Sequence, residues 1–97
     1  MRKSGEAEIT NNPGRSRYEA RLDGQLAGFA EYELGDGLIT FTHTLVRPVF
    51  EGRGVGAALV RAALDDVRAA GTRKVTTSCP FFRGWLERHP EYHDLCR

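Results

Sequence analysis

In the first half of the chain apolar residues tend to recur at every second position, and later they recur every three or four, so the pattern predicts strands followed by a helix. Arg17-Tyr18-Glu19-Ala20-Arg21-Leu22 alternates polar and apolar side chains, as a half-buried strand does. Asp23-Gly24 before Gln25 is a hairpin signal, and the run from Leu26 to Leu34 should lie antiparallel beside the first strand. A second turn, Gly35-Asp36-Gly37, leads into Leu38-Ile39-Thr40-Phe41-Thr42-His43-Thr44-Leu45-Val46, which reads as a central strand. Uninterrupted alternation sets Ile39, Phe41, His43 and Leu45 on one face of it and the threonines on the other. An earlier strand from Glu6 to Thr10 is expected before the turn cluster Asn11-Asn12-Pro13-Gly14, with residues 1–5 frayed.

From Gly54 to Ala70 the period becomes helical, with Val55, Leu59, Val60, Ala63, Leu64 and Val67 on one side and Arg61, Asp65 and Arg68 on the other. Gly71 is placed to end that helix. Lys74 to Cys79, rich in Val and Thr, predicts a strand parallel to the one ending at Val46, because a full crossover helix separates the two. Pro80 should stop it. Phe82, Trp85, Leu86 and His89 have the spacing of a short helix closed by Pro90. The fold class is α+β, a mixed sheet of antiparallel strands followed by a crossover helix, a parallel strand and a short C-terminal helix.

A chain of 97 residues has room for a single domain and one modest core, so residues 1–97 are taken as one unit. Its 14 basic and 13 acidic residues are mixed along the sequence, and the net charge of +1 offers no block suited to nucleic acid or to a membrane surface. The basic start is followed by no apolar run, and no segment reaches membrane-spanning length. A soluble, cytoplasmic protein is expected, with Cys79 and Cys96 as reduced thiols.

The chemistry concentrates in Val46-Arg47-Pro48-Val49-Phe50-Glu51-Gly52-Arg53-Gly54-Val55-Gly56, a glycine-rich turn between a strand and a helix. Glycines at alternate positions let backbone approach a ligand, and the helix start aims free N–H groups at it, which suits a phosphate. Gly52-Arg53-Gly54-Val55-Gly56-Ala57 fits the dinucleotide fingerprint, but that fold wants a parallel strand order and an acidic residue about 20 positions on, where Ser78 and Cys79 stand. A nucleotide-triphosphate loop would need Gly-Lys-Ser/Thr, and Gly56 is followed by Ala57-Ala58. A glycine-rich connection with no ligand is the remaining alternative.

Four segments taken together decide among these. His43-Thr44-Leu45-Val46, Glu51-Gly52-Arg53-Gly54-Val55-Gly56-Ala57, Ser78-Cys79-Pro80-Phe81 and Arg88-His89-Pro90-Glu91-Tyr92 occur in an order that resembles the Gcn5-related N-acetyltransferases, especially their minimal single-domain subgroup of the bacterial YjdJ type. The resemblance implies an acetyl-coenzyme A fold in which the strand ending at Val46 splays from the strand ending at Cys79, with pantetheine in the cleft. It implies that backbone at Leu45 and Val46 pairs with pantetheine, and that the amides of Glu51, Gly52, Arg53, Gly54, Val55, Gly56 and Ala57 hold the pyrophosphate. The family usually has Arg or Gln where this chain has Glu51, so a carboxylate sits beside the expected anion and Arg53 is left to offset it.

Transfer to an amine needs a base for the amine and stabilisation of the oxyanion at the thioester carbon. His43 is the candidate base, imidazole being the side chain that titrates near neutrality; the competing reading is a histidine hydrogen-bonded within the sheet. Cys79 could be a nucleophile, an acid to the leaving thiolate, a lining of the pantetheine channel or an inert buried thiol. Many larger relatives protonate coenzyme A with a tyrosine on the following helix, where this chain has Phe81 and Phe82. Tyr92 reads as a packing residue with its hydroxyl at the surface, Trp85 and Leu86 as cover for the core, and Glu31 and Glu33 as a solvated face able to hold an ammonium. Cys79, His89, His93 and Cys96 are not expected to form a metal site, since Pro90 separates the histidines and Cys79 belongs to a strand. Two functions follow: an N-acetyltransferase acting on an unidentified amine, small molecule or protein lysine, or a coenzyme A-binding module with little or no activity.

Overall fold

The alternating half of the chain folds as an antiparallel meander. In the computed structural model, which describes residues 7–97, β1 (Glu8–Asn12), β2 (Arg17–Leu22), β3 (Gln25–Gly35) and β4 (Leu38–Val46) pair in chain order. Asp23 at φ 51° and Gly24 at φ 80° make the tight turn that an Asp-Gly pair predicts. Glu6 and the residues expected to fray lie outside the described residues. β1 runs later than expected, through Asn11 and Asn12, because both side chains are used across the sheet: Asn11 Oδ1 accepts the Tyr32 hydroxyl at 2.8 Å and Asn12 Nδ2 donates to Glu19 at 3.1 Å. The turn begins only at Pro13.

α1 (Val55–Ala70) buries the apolar stripe read from the sequence, and the Gly71 N–H closes it on the Val67 carbonyl at 3.1 Å. The crossover makes β5 (Lys74–Thr77) parallel to β4 and completes a five-stranded sheet in the order β1-β2-β3-β4-β5. β5 is shorter than the expected Lys74–Cys79. The Thr77 hydroxyl donates to the Phe41 carbonyl at 2.8 Å and accepts the Cys79 N–H at 3.0 Å, which pulls Cys79 out of the ladder. Pro80, expected as a stop, is the first residue of α2 (Pro80–Glu87), where a missing N–H costs no hydrogen bond. A 3₁₀ segment, Pro90–Leu95, follows, and its Asp94 is tied to Arg68 of α1 at 2.9 Å.

The core lies between one face of the sheet and the two helices. Tyr18, Ala30, Tyr32, Ile39 and Phe41 meet Leu59, Val60, Ala63, Leu64 and Phe82, and the rings of Phe41 and Phe82 stack with centroids 4.3 Å apart. The Tyr18 hydroxyl donates to Asp66 of α1 at 2.6 Å. Burial first, and then this bond to a carboxylate, push the Tyr18 phenol above its ordinary range. No described helix is long and apolar enough to cross a membrane.

Cross-strand partners reveal a break in β4. Tyr32 faces Phe41 and Ala30 faces Thr44, while Glu31 faces His43, so Thr42 has no partner and forms a β-bulge. The bulge corrects the expectation of a single apolar face. Ile39 and Phe41 point into the core, whereas His43 and Leu45 lie on the opposite face beside Glu31 and Phe29. That second face carries no helix among the described residues. On it Glu19, 5% exposed, accepts from Arg17 at 2.8 Å, Arg21 at 2.9 Å and Asn12 at 3.1 Å. The two guanidinium groups hold its carboxyl at about 2, well below the ordinary 4.5.

Candidate functional site

The site begins where the parallel ladder stops. Leu38–Phe41 pair with Lys74–Thr77, the Ser78 N–H makes the last bond to the Phe41 carbonyl at 3.0 Å, and the chain then turns into α2. β4 continues from Thr42 to Val46 with that edge unpaired by β5. A cleft of about 400 Å³ opens there, walled by Thr44 and Val46, by Glu51, Gly52 and the first turn of α1 from Gly54 to Ala57, and by Phe81.

The three glycines of the turn serve two different needs. Gly52 at φ 80° and Gly54 at φ 76° occupy the left-handed region, and an added Cβ at either would meet nothing within 4 Å, so backbone conformation alone selects glycine. Gly56 is helical, and a Cβ there would come within 2.8 Å of the Phe81 ring, so space selects it. A fourth glycine escaped the sequence reading. Gly28, opposite Val46 in the interior of β3, would place a Cβ 2.5 Å from the Leu45 carbonyl oxygen and 3.3 Å from Val55, and its absence lets the start of α1 close on β3 and β4.

No side chain caps α1. The Ala58 N–H is bonded back to the Gly54 carbonyl at 3.0 Å as the first helical donor, and the N–H groups of Val55, Gly56 and Ala57 come before it, without a helical acceptor, while their residues line the cleft. With the positive end of the helix dipole, they make this end of α1 suited to an anion. Of the residues expected to hold the cofactor, Val46, Glu51, Gly52, Gly54, Val55, Gly56 and Ala57 are brought together here. Arg53 is exposed and outside the wall, and the Leu45 side chain lies across the sheet, 37% exposed.

Cys79 sits behind the wall, 5% exposed and absent from the lining, with its Sγ 3.5 Å from Thr44 Oγ1. Burial pushes the thiol up, but hydrogen bonding with the backbone of Phe82, with Thr44 and with the backbone of Phe81 outweighs it, and the thiol settles below its ordinary range. Thr44 was not singled out by the sequence. Only the bulge turns it toward the cleft, and no residue pattern marks that bulge. His43 is exposed on the opposite face, beside Glu31. The two candidates for chemistry therefore flank the unpaired edge of β4 from opposite sides.

Other singled-out residues are accounted for structurally. Tyr92 is buried as a packing residue, and its hydroxyl donates to the exposed Asp65 at 2.6 Å. Trp85 is core and stacks on His89 with centroids 3.6 Å apart. His89 Nδ1 lies 2.8 Å from the Trp85 carbonyl and His93 Nε2 2.7 Å from that of Leu86, so both rings meet the last turn of α2. Glu31 and Glu33 are on β3 with the helix-free face.

Residues 17–95 match the family model described as GCN5-related N-acetyl-transferase. The chain belongs to that family. Solved structures agree in fold: a ribosomal-protein-alanine N-acetyltransferase from Brucella melitensis biovar Abortus 2308 is 23% identical over 75% of this chain and 59% of its own, with a TM-score of 0.63. Ard1 from Thermoplasma volcanium is 24% identical over 64% of this chain and 43% of its own, with a TM-score of 0.55. A protein assigned to the GNAT family from Desulfovibrio desulfuricans is 26% identical over 74% and 52%, with a TM-score of 0.58. The chain thus spans about half the length of the structures it resembles. No curated protein matches it. GCN5-related N-acetyltransferases use acetyl-coenzyme A, an anionic thioester, and the cleft sets the uncapped start of α1 beside the unpaired strand edge.

Proposed function

We propose that this chain binds acetyl-coenzyme A in the cleft and transfers the acetyl group to an amine. The observation that carries the reading is the continuity of the unpaired edge of β4 with the uncapped start of α1 in one cleft. The pyrophosphate lies on the N–H groups from Gly52 to Ala57, with Glu51 and Arg53 at the rim of the turn, and pantetheine runs along the backbone of Leu45 and Val46 as an added strand. The thioester then reaches the gap between β4 and β5.

His43 is on the far side of that gap from the cleft, so the amine approaches across the helix-free face while acetyl-coenzyme A occupies the other. His43 takes the proton as the nitrogen adds to the thioester carbon, and Glu31 and Glu33 on the same face favour a cationic acceptor. The acceptor is a small amine or a protein amine. Brucella's similar protein is named for alanine of a ribosomal protein, which supports a protein amine as the first class to test. A reducing cytoplasm fits the free thiol at Cys79.

Calorimetry with acetyl-coenzyme A and with NAD, followed by acetyl transfer to a panel of amines, tests this. Binding selective for coenzyme A is expected, with turnover that falls sharply in His43→Ala while affinity persists. Preference for NAD, or no binding of coenzyme A, overturns the assignment; tight binding with no turnover on any amine leaves the chain a coenzyme A-binding module.

A further inference from the structure

We propose that Thr44 is the catalytic residue that protonates the departing coenzyme A sulfur, and that Cys79 resupplies its proton from behind the cleft wall. The inference rests on the acetyl-transfer reading above and concerns the acid that reading leaves unassigned. Phe82 is buried against Phe41, Phe81 is an apolar wall over Gly56, and the Tyr92 hydroxyl is committed to Asp65. Among the described residues that line the cleft, Thr44 alone bears a hydroxyl. It stands on the unpaired part of β4, where the thioester would lie, and its oxygen is 3.5 Å from the Cys79 thiol.

The step balances without a co-reactant. The amine nitrogen bonds to the thioester carbon and its proton passes to His43. When the C–S bond breaks, the electron pair stays on sulfur, which takes the Thr44 proton as Thr44 Oγ1 takes the proton of Cys79 Sγ. The two transfers are concerted, so no free alkoxide forms. The thiolate left at Cys79 faces the first turn of α2, whose backbone at Phe81 and Phe82 lowers the cost of that charge. When coenzyme A leaves, solvent returns a proton to Cys79 and takes one from His43.

Steady-state kinetics of the full chain with acetyl-coenzyme A and its best amine, together with acetyl-coenzyme A calorimetry, tests the relay. Thr44→Val should lower kcat roughly 100-fold with affinity for acetyl-coenzyme A within about twofold, and Thr44→Ala should do the same. Thr44→Ser should recover most of the rate. Cys79→Ala should also lower kcat, but the Thr44→Val, Cys79→Ala double variant should be no slower than Thr44→Val, since both act on one proton path. The wild-type rate should fall as pH rises through the Cys79 titration, and this alkaline limb should vanish in Thr44→Val. Wild-type kcat in Thr44→Val, additive losses in the double variant, or an unchanged alkaline limb overturns the relay while leaving acetyl transfer standing. A wild-type chain with no turnover overturns both.

Discussion

From Leu38 to Phe41, β4 is paired on both edges and sends Ile39 and Phe41 into the core; past the bulge at Thr42, from His43 to Val46, it is paired only with β3, and sends Thr44 and Val46 to the cleft and His43 and Leu45 to the other face. One strand thus serves as scaffold over its first half and as site over its second. The bulge at Thr42 is the switch, because it inverts the alternation at the residue where β5 departs. The contrast teaches that the site is built from backbone that the sheet leaves unused, next to a core that holds it still.

If that division holds, the largest effect on stability should come from the scaffold half. Phe41→Ala removes a fully buried ring stacked on Phe82 and should cost about 3–5 kcal/mol in urea unfolding. Thr44→Val in the site half should cost no more than about 1 kcal/mol. Equal losses would erase the distinction.

Gly28→Ala tests how tightly the two functions are joined. Its Cβ would collide with the Leu45 carbonyl, so β4 must shift exactly along its site half, and a loss of roughly 1–3 kcal/mol in stability should be joined by weaker acetyl-coenzyme A binding. Unchanged affinity in a destabilised variant would show the edge to be more forgiving than this.

The helix-free face gives a pH test independent of the cofactor. Glu19 has its pKa depressed in the folded chain, so its contribution is present above the ordinary 4.5 and is lost as pH falls toward about 2. Arg21 is partly exposed, and with that screening the loss should be roughly 1–2 kcal/mol. Denaturation curves of Glu19→Gln should lack this slope between those pH values; an unchanged slope would assign it to other carboxylates.

The smallest effect belongs to the rim of the cleft. Glu51→Gln removes a carboxylate from the wall and should tighten acetyl-coenzyme A binding by about 0.5–1 kcal/mol at low salt, with the gain fading as salt is added. Weaker binding in Glu51→Gln would mean that the carboxylate accepts a hydrogen bond from the ligand.

Local pattern made much of this legible in the sequence. The bounds of β2 and β4, the apolar stripe of α1, its end at Gly71 and the parallel direction of β5 all follow from periodicity and turn chemistry, which act within a few residues. What was hidden depends on contacts between distant segments. The end of β5 is set by the Thr77 hydroxyl reaching Phe41, the length of β1 by Asn11 reaching Tyr32, and the faces of His43 and Thr44 by a bulge whose register is set against β3. The glycine turn was placed correctly, yet the reason for Gly56 appears only when Phe81 is seen beside it.

The central claim is that the unpaired half of β4 and the start of α1 form one acetyl-coenzyme A site. Backbone amide NMR of the full chain titrated with acetyl-coenzyme A tests it most directly. Shifts should concentrate at Thr42–Val46, Gly52–Ala57 and Ser78–Phe81, while β1 and the far end of α1 stay still. Saturable shifts centred elsewhere, or none at millimolar ligand, would contradict it.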